Sequence, residues 1–300
     1  MSATTAIVTG SSARPAPGRR RGRTRLSTVL WSALSVVLFA LFAFPVYWMV
    51  NTSFQPNNEI RGSEIHFWPD NFTLRNYATV LFDPGRTPFA PAAVNSLVVT
   101  LTTVLVALIF AFLAAIAVTR FRFKSRRAFI VMILVIQMIP GEAMIVSIFR
   151  VIDGWHLLNT LIGLTIVYVA TVLPFTIWTL RGFVNGVPAD LEEAAMIDGC
   201  SRSGAFWRIT FPLLAPGLVA TGVFGFIQAW NEFVIALVLN ARPEMMTLPV
   251  WLRTFLVANG TTNWAAIMAG STLMAIPVIV FFLFVQGRMT SGLVSGAVKG

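Results

Sequence analysis

The sequence predicts an all-α integral membrane protein with six transmembrane helices. Hydrophobic residues make up 56% of the 300-residue chain and charged residues only 11%, whereas soluble domains carry about a quarter charged residues. Six apolar segments are each near the ~20 residues that a helix needs to cross a bilayer. Lys and Arg concentrate in alternate connections between these segments. A soluble chain of this length would be expected to form about two domains. Together these observations instead indicate a single membrane-embedded bundle.

The chain begins with a basic tail, residues 1–27, which contains six arginines, no acidic residue and scattered Ser, Pro and Gly. This composition cannot bury a core and predicts a disordered segment. A secretory signal is disfavoured because the following apolar run, Thr28–Val50, is longer than the about 7–15 residues of a signal core. A mitochondrial transit peptide also fits the tail and stays open on sequence alone.

Residues 28–287 form the predicted six-helix transmembrane domain, and residues 288–300 form a C-terminal tail. The apolar segments are approximately Thr28–Val50, Ala92–Val118, Ala128–Phe149, Leu157–Leu180, Leu213–Leu239 and Trp264–Val285. Prolines such as Pro140 and Pro277 are tolerated in membrane helices where neighbouring groups satisfy the freed backbone. Small residues at four-residue intervals, from Ala107 to Ala115 and from Gly217 to Ala229, indicate either close helix packing or simply the composition of these segments.

The charge distribution predicts which ends of the helices face the cytosol. The N-terminal tail, the 120–127 connection, the 181–212 connection and the C-terminus carry 16 Lys and Arg residues and four acidic ones. The connections on the opposite side carry six Lys and Arg residues and seven acidic residues. By the positive-inside rule the first set is cytosolic, which places both termini in the cytoplasm. The net charge of +10 is then a topology signal, and no basic domain with interleaved aromatics indicates nucleic-acid binding.

The 188–212 connection is an acidic-containing polar interruption between apolar segments. Asp190 followed by Glu193 has the spacing of a capping box and predicts a helix of about eight residues from Leu191. Gly199 is placed to end this helix in a left-handed conformation. A second helical run is predicted from Ser203. Because so short a helix is marginal alone in water, it needs a surface to pack against.

The connection contains Glu193-Ala194-Ala195, then three residues and Gly199, nine residues and Ile209, and two residues and Pro212. This spacing resembles the EAA loop of permease subunits of bacterial ABC importers, with Phe211 where the usual pattern has Leu. The resemblance implies a type I ABC importer permease fold. It also implies that the loop forms a cytosolic coupling helix, which docks in a groove on a separate ATP-hydrolysing subunit. The coupling residues implied are Glu193, Ala194, Ala195, Asp198, Gly199, Ile209 and Pro212.

Polar residues within the apolar segments are candidates for a translocation pathway, because burying them in a membrane is costly. Gln137 lies roughly 14 Å into the third segment, just before Pro140-Gly141 breaks the helix. Gln228, Asn231 and Glu232 lie about 24–30 Å along the fifth segment, towards its outer boundary. Amides and carboxylates of this kind can hydrogen-bond sugar hydroxyls. The alternative is that they are interfacial polar residues at a helix end.

Two further stretches narrow the resemblance to the maltose-type carbohydrate permeases: Ala229–Phe233, which reads AWNEF, and the C-terminal Ser291–Gly300. The segment before the fourth apolar run, Asn159–Leu164, is also similar. This family implies a second homologous permease subunit, two ATP-binding subunits and an extracytoplasmic solute-binding protein that delivers a sugar. Membrane lipid is the remaining expected partner.

The sequence contains little that indicates chemistry of its own. Neither lysine, Lys124 or Lys299, belongs to a GxxxxGK[ST] phosphate loop. The single Cys200 excludes a multi-cysteine metal site, and no cofactor, metal or catalytic cluster is expected. A non-catalytic transport subunit is therefore favoured over a membrane enzyme. An ABC permease for a non-sugar solute, and less favourably a self-contained ion-coupled transporter, stay open as alternatives.

Overall fold

The computed structural model describes residues 25–62, 65–83, 85, 87–256 and 262–297, and within these ranges the chain is helical without strands. Most of the predicted basic tail, residues 1–24, lies outside the described residues. The chain divides into two units, residues 1–47 and 48–300. The first helix, α1 (Arg25–Ser53), begins three residues before the predicted boundary and crosses from one unit into the other.

Two short helices follow α1: α2 (Asn57–Ile60) and α3 (Arg75–Phe82). The buried amide of Asn76 donates to the carbonyl oxygens of Ser53 and Gln55, at 2.8 and 2.9 Å. Because these bonds satisfy backbone carbonyls where α1 ends, they attach α3 to the connection that precedes it.

The second predicted span is one long helix, α4 (Phe89–Arg120). The third predicted span, Ala128–Phe149, is broken where the sequence predicted a break. It comprises α5 (Arg126–Met138), a 3₁₀ turn (Gly141–Met144) and α6 (Ile145–Gly154), and the two halves are bent by 88°. The break falls at Pro140-Gly141, because proline lacks the N–H that a continuous helix requires.

The next part of the chain contains α7 (Leu161–Gly186), α8 (Asp190–Ile197), α9 (Arg202–Ala205), a π-helical segment (Phe206–Thr210) and α10 (Phe211–Trp230). The side chain of Thr160 caps α7 by accepting from the N–H of Gly163 at 3.1 Å. The predicted fourth span, Leu157–Leu180, therefore begins and ends a few residues later than expected.

The predicted fifth span, Leu213–Leu239, is not continuous. The helix stops at Trp230 and resumes as α11 (Val234–Leu239). The remaining elements are a 3₁₀ turn (Pro243–Met245), α12 (Leu248–Leu252), a second 3₁₀ turn (Arg253–Phe255) and α13 (Trp264–Ala297). The last helix runs through most of the predicted C-terminal tail, of which residues 298–300 lie outside the described part of the chain.

Five helices of the described chain are long and apolar enough to cross a membrane, and the count is six if the bent α5–α6 pair is one span. Within the second unit, α4 packs along α7, α10 packs against both, and α13 packs against α10. The small residues predicted at helix interfaces lie at these contacts: Ala107, Ala111 and Ala115 are all at most 1% exposed. A Cβ at Gly225 would touch Val104 and Val172. The packing interpretation of the small-residue stripes is thus confirmed.

Candidate coupling segment and pathway residues

The predicted coupling helix exists as α8, but its start differs from the prediction. Asp190 is not the cap: Ala189 already has right-handed helical dihedral angles and makes no side-chain cap bond. Its carbonyl accepts from the N–H groups of Glu192 and Glu193 at 2.9 and 3.2 Å. Asp190 therefore lies inside the first turn, where it cannot fold back as a cap, and the capping-box prediction was wrong. The carboxylates of this turn still suit the positive end of the helix dipole.

The end of α8 agrees with the prediction. Gly199 has a φ of +92°, and the N–H of Cys200 donates to the carbonyl of Ala195 at 3.0 Å, closing the helix. A Cβ at Gly199 would meet no atom within 4 Å. The constraint on this position is therefore backbone conformation rather than space, and glycine is the residue that adopts this region without penalty.

The chain returns from Gly199 directly into the fifth span. The Ser201 hydroxyl caps α9 by accepting from the N–H of Gly204 at 3.1 Å. From Arg202 to Trp230 the helix is continuous, so the span is longer than the sequence predicted and Pro212 lies within it. Because Pro212 has no N–H to donate to the preceding turn, the wider π-helical turn at Phe206–Thr210 accommodates it. Insertions of this type occur frequently at functional sites.

One side of α8 is open to its surroundings. We call this side the docking face, and it comprises Leu191, Glu193, Ala194, Met196, Ile197 and Asp198. Ile197 is 86% exposed, although it is a large apolar residue. Exposed apolar patches of this kind mark interaction surfaces. Of the other coupling candidates, Gly199 and Pro212 are exposed, Ile209 is half-buried and Ala195 is buried.

The opposite side of α8 carries Glu192, which is half-buried and points into the protein. Its Oε1 accepts from the hydroxyl of Thr210 at 2.6 Å and lies 3.6 Å from Nη2 of Arg120. The same Arg120 nitrogen donates to the carbonyl oxygen of Val187 at 3.0 Å. The side chains of Glu192, Thr210 and Arg120 line a cavity of about 400 Å³ at this end of the helices. From the sequence, Glu192 was given no role of its own, and Arg120 was counted only among the charges that indicate topology.

The pathway candidates of the fifth span lie where α10 stops. Gln228 and Asn231 are exposed, and the Asn231 amide donates to the carbonyl oxygen of Ile227 at 2.8 Å. The carboxylate of Glu232 is used differently. It accepts from the N–H of Ile235 at 2.7 Å and from the N–H of Ala236 at 3.0 Å, so it caps the start of α11.

Glu232 has a third partner, which the sequence analysis missed. The buried Tyr168 of α7 donates its hydroxyl to Oε2 of Glu232 at 2.6 Å. Tyr168 gave no signal in the sequence beyond being a polar group in an apolar segment. Gln137 is exposed near the end of α5, and no hydrogen bond in the described part of the chain joins it to this cluster.

The fold is that of an ABC importer permease. It matches a chain in the crystal structure of a bacterial ABC transporter that imports the acidic polysaccharide alginate, with a TM-score of 0.73. The match covers 88% of this chain and 96% of that chain at 22% identity. The family of binding-protein-dependent transport system inner membrane components matches residues 107–293, which include α8 and the Glu232 cluster. The chain belongs to this family and is a type I permease subunit, a non-catalytic component of transport.

Individual relatives extend over nearly the whole chain. The diacetylchitobiose uptake system permease protein DasC of Streptomyces coelicolor is 45% identical over 266 residues, which cover 89% of this chain and 95% of the relative. The trehalose transport system permease protein SugB of Mycobacterium tuberculosis is 34% identical over 274 residues, or 90% of this chain and 97% of the relative.

Proposed function

We propose that this permease forms half of the translocation pathway for a disaccharide or short oligosaccharide. The observation that supports the sugar class best is the 45% identity to the diacetylchitobiose permease DasC, which extends over most of both chains. Relatives named for trehalose and for arabinooligosaccharides are 34% and 31% identical. The shared chemistry of these substrates is a small, polyhydroxylated glycan.

The transporter has further subunits in this proposal. A second, related permease completes the pathway, two ATP-binding subunits supply energy, and an extracytoplasmic binding protein delivers the sugar. The docking face supports the ATPase partner, because it leaves Ile197 and neighbouring residues of α8 open. The sequence also contains no phosphate loop with which this chain could bind ATP itself.

The proposed orientation places α8 and both termini in the cytoplasm of a bacterial cell membrane. The positive charges of Arg120–Arg127 support it, because they lie between α4 and α5 at the end of the helices that carries α8. Glu193, Ala194 and Asp198 of the docking face then contact the ATPase, and Gly199 ends the helix that carries them. Ala195 packs α8 onto the permease, and Ile209 with Pro212 shapes the return into α10.

The proposed sugar pathway runs past Gln137, Gln228, Asn231 and Glu232. Gln137, Gln228 and Asn231 have exposed side chains that can offer amide donors and acceptors to hydroxyl groups. Glu232 contributes to the pathway by holding the turn between α10 and α11. The 88° bend at Pro140-Gly141 places Gln137 beside a break in a span, and such breaks in transport proteins occur where backbone lines a cavity.

Transport then follows from rigid-body movement. ATP binding moves the groove that holds α8, and α8 is attached to α10 through a turn, a short helix and the π-helical segment. The movement therefore carries the spans between two packings, with sugar access on alternate sides. In this proposal the residues of this chain bind and orient the sugar and transmit the movement of α8, and they break no covalent bond.

The proposal is tested by reconstitution in liposomes. The permease is co-purified with a second permease, an ATP-binding protein and a solute-binding protein from the same organism, and uptake of radiolabelled diacetylchitobiose, trehalose and arabinobiose is measured. ATP-dependent uptake of at least one glycan, dependent on the binding protein, is expected. Uptake by this chain alone, driven by an ion gradient, would overturn the proposal, as would ATP-dependent uptake restricted to peptides or other non-sugar solutes.

A further inference from the structure

The inward side of α8 carries a single acidic residue, and that residue is at the centre of a polar network. Among the acidic side chains of α8, Asp190 and Glu193 are exposed, whereas Glu192 is half-buried. Its carboxylate is shared between a hydroxyl donor, Thr210, and a cation, Arg120. Hydrogen bonds to ionised groups are roughly twice as strong as those between neutral groups. Glu192 is therefore the main polar attachment of the coupling helix to the permease.

The network around Glu192 reaches the ends of three transmembrane helices. Arg120 is the last residue of α4, Thr210 immediately precedes α10, and Val187, which accepts from Arg120, immediately follows α7. These are the helices that pack most extensively on one another in the second unit. A displacement of α8 at this carboxylate thus acts on the ends of α4, α7 and α10 together.

The surroundings of the network allow it to rearrange. The side chains of Arg120 and Glu192 are 19% and 20% exposed, and both line the cavity of about 400 Å³. The Nε atom of Arg120 is buried and has no hydrogen-bond partner within the described residues. A buried donor left unpaired costs free energy. The observed arrangement therefore leaves Arg120 incompletely satisfied beside a space into which its side chain can move.

We propose that Glu192 is the positioning residue through which the movement of the coupling helix reaches the transmembrane helices. Its contacts with Arg120 and Thr210 rearrange between the two packings of the transporter. This inference rests on the proposed function, since it assumes that a separate ATPase moves α8. It assigns distinct tasks to adjacent carboxylates: Glu193 faces the ATPase, and Glu192 faces the spans.

The test uses the assembled transporter in proteoliposomes and measures the ratio of diacetylchitobiose uptake to ATP hydrolysis. Glu192→Gln keeps the side-chain shape and an oxygen that accepts from Thr210, but it removes the charge that attracts Arg120. We expect the ratio to fall by between about five- and 150-fold, the usual range of coupling between two sites, while the ATP-binding subunits still copurify. Arg120→Gln should have a similar effect.

Two comparisons separate transmission from simple loss of structure. The double variant Arg120→Gln/Glu192→Gln should be no worse than the more severe single variant, because both act through one contact. Thr210→Val should lower the ratio and Thr210→Ser should restore it, since serine returns the hydroxyl. Arg122→Gln is the matched control: Arg122 is exposed two residues from Arg120 and should keep the wild-type ratio.

The outcomes distinguish the inference from the proposed function. A wild-type transporter without ATP-dependent glycan uptake would sink the proposed function. Normal wild-type uptake combined with a normal ratio in Glu192→Gln and Thr210→Val would overturn only the role of Glu192. Multiplicative losses in the double variant would also overturn it, because they would mean that Arg120 and Glu192 act independently.

Discussion

The two ends of the helices in the second unit are built differently. At the end opposite α8, side chains satisfy the backbone of the loops: the Asn95 amide donates to the carbonyls of Glu244 and Met246 at 2.9 and 3.0 Å. The Trp251 indole donates to Thr87 at 2.7 Å. At the α8 end, the attachment of the short helix depends on one half-buried carboxylate beside a cavity. The Asn95 amide and the Trp251 indole are paired with backbone carbonyls, and paired polar groups of this kind rigidify a structure. The first end is therefore suited to hold its shape and the second to transmit movement.

The comparison predicts that substitutions at the two ends have different consequences. Changes at the end opposite α8 should lower the free energy of unfolding. Changes on the docking face should leave it nearly unchanged and should instead affect the ATP-binding partner. The following expectations run from the largest effect on stability to the smallest.

The largest effect is expected for Trp251→Ala. Trp251 is 1% exposed and packs edge-on against Phe89 and Phe255, with ring centroids 5.2 and 5.0 Å apart. Its removal should cost about 3–5 kcal/mol, the usual range for a buried large aromatic, measured by unfolding in detergent. Trp207→Ala is the comparison at the α8 end, where the ring is 57% exposed. An equal loss in both variants would contradict the distinction between the ends.

A smaller loss is expected for Glu232→Ala. The change leaves the Tyr168 hydroxyl and the N–H groups of Ile235 and Ala236 without their acceptor, and an unsatisfied buried group costs about 1–3 kcal/mol. Glu232→Gln keeps an amide oxygen as acceptor and should cost less in the same unfolding measurement. If both variants were fully stable yet defective in uptake, Glu232 would act on the sugar directly rather than as a cap.

Gly199→Ala should have a local effect. A Cβ has free space at this position, so the cost is the about 1–2 kcal/mol of a left-handed conformation for a residue with a side chain. We expect α8 to end irregularly and copurification of the ATP-binding subunits to fall. Gly186→Ala is a matched control, because its Cβ also meets nothing and its φ is not positive. Equal copurification in both variants would argue against a conformational role for Gly199.

The smallest change in stability is expected for Glu193→Lys. The side chain is exposed, so the unfolding midpoint should stay that of the wild type. Reversal of charge on the docking face should nevertheless weaken copurification of the ATP-binding subunits and, in the complexes that still assemble, uncouple uptake from ATP hydrolysis. Glu244→Lys reverses an exposed charge at the opposite end of the helices and should retain both copurification and coupling. Retained coupling in Glu193→Lys would exclude this carboxylate from the docking contact.

The sequence by itself determined the features that depend on local chemistry. Apolar length predicted the spans, proline and glycine predicted the break at Pro140-Gly141, and a glycine at position 199 predicted the end of α8. These features are local because hydropathy, a missing N–H and a left-handed φ act within a few residues. The cap of α8 was mispredicted because Ala189 had already entered the helix.

Only the tertiary structure decided the roles of the carboxylates of Glu192, Glu193 and Glu232. Glu192 and Glu193 are neighbours in one helical turn, yet one contacts Arg120 and Thr210 while the other is exposed. Glu232 was predicted as a pathway residue and stays a proposal, but its three hydrogen bonds to Tyr168 and the α11 backbone could not be read from the sequence. The reason is physical: a carboxylate takes its role from the donors that surround it, and packing of distant helices sets which donors those are.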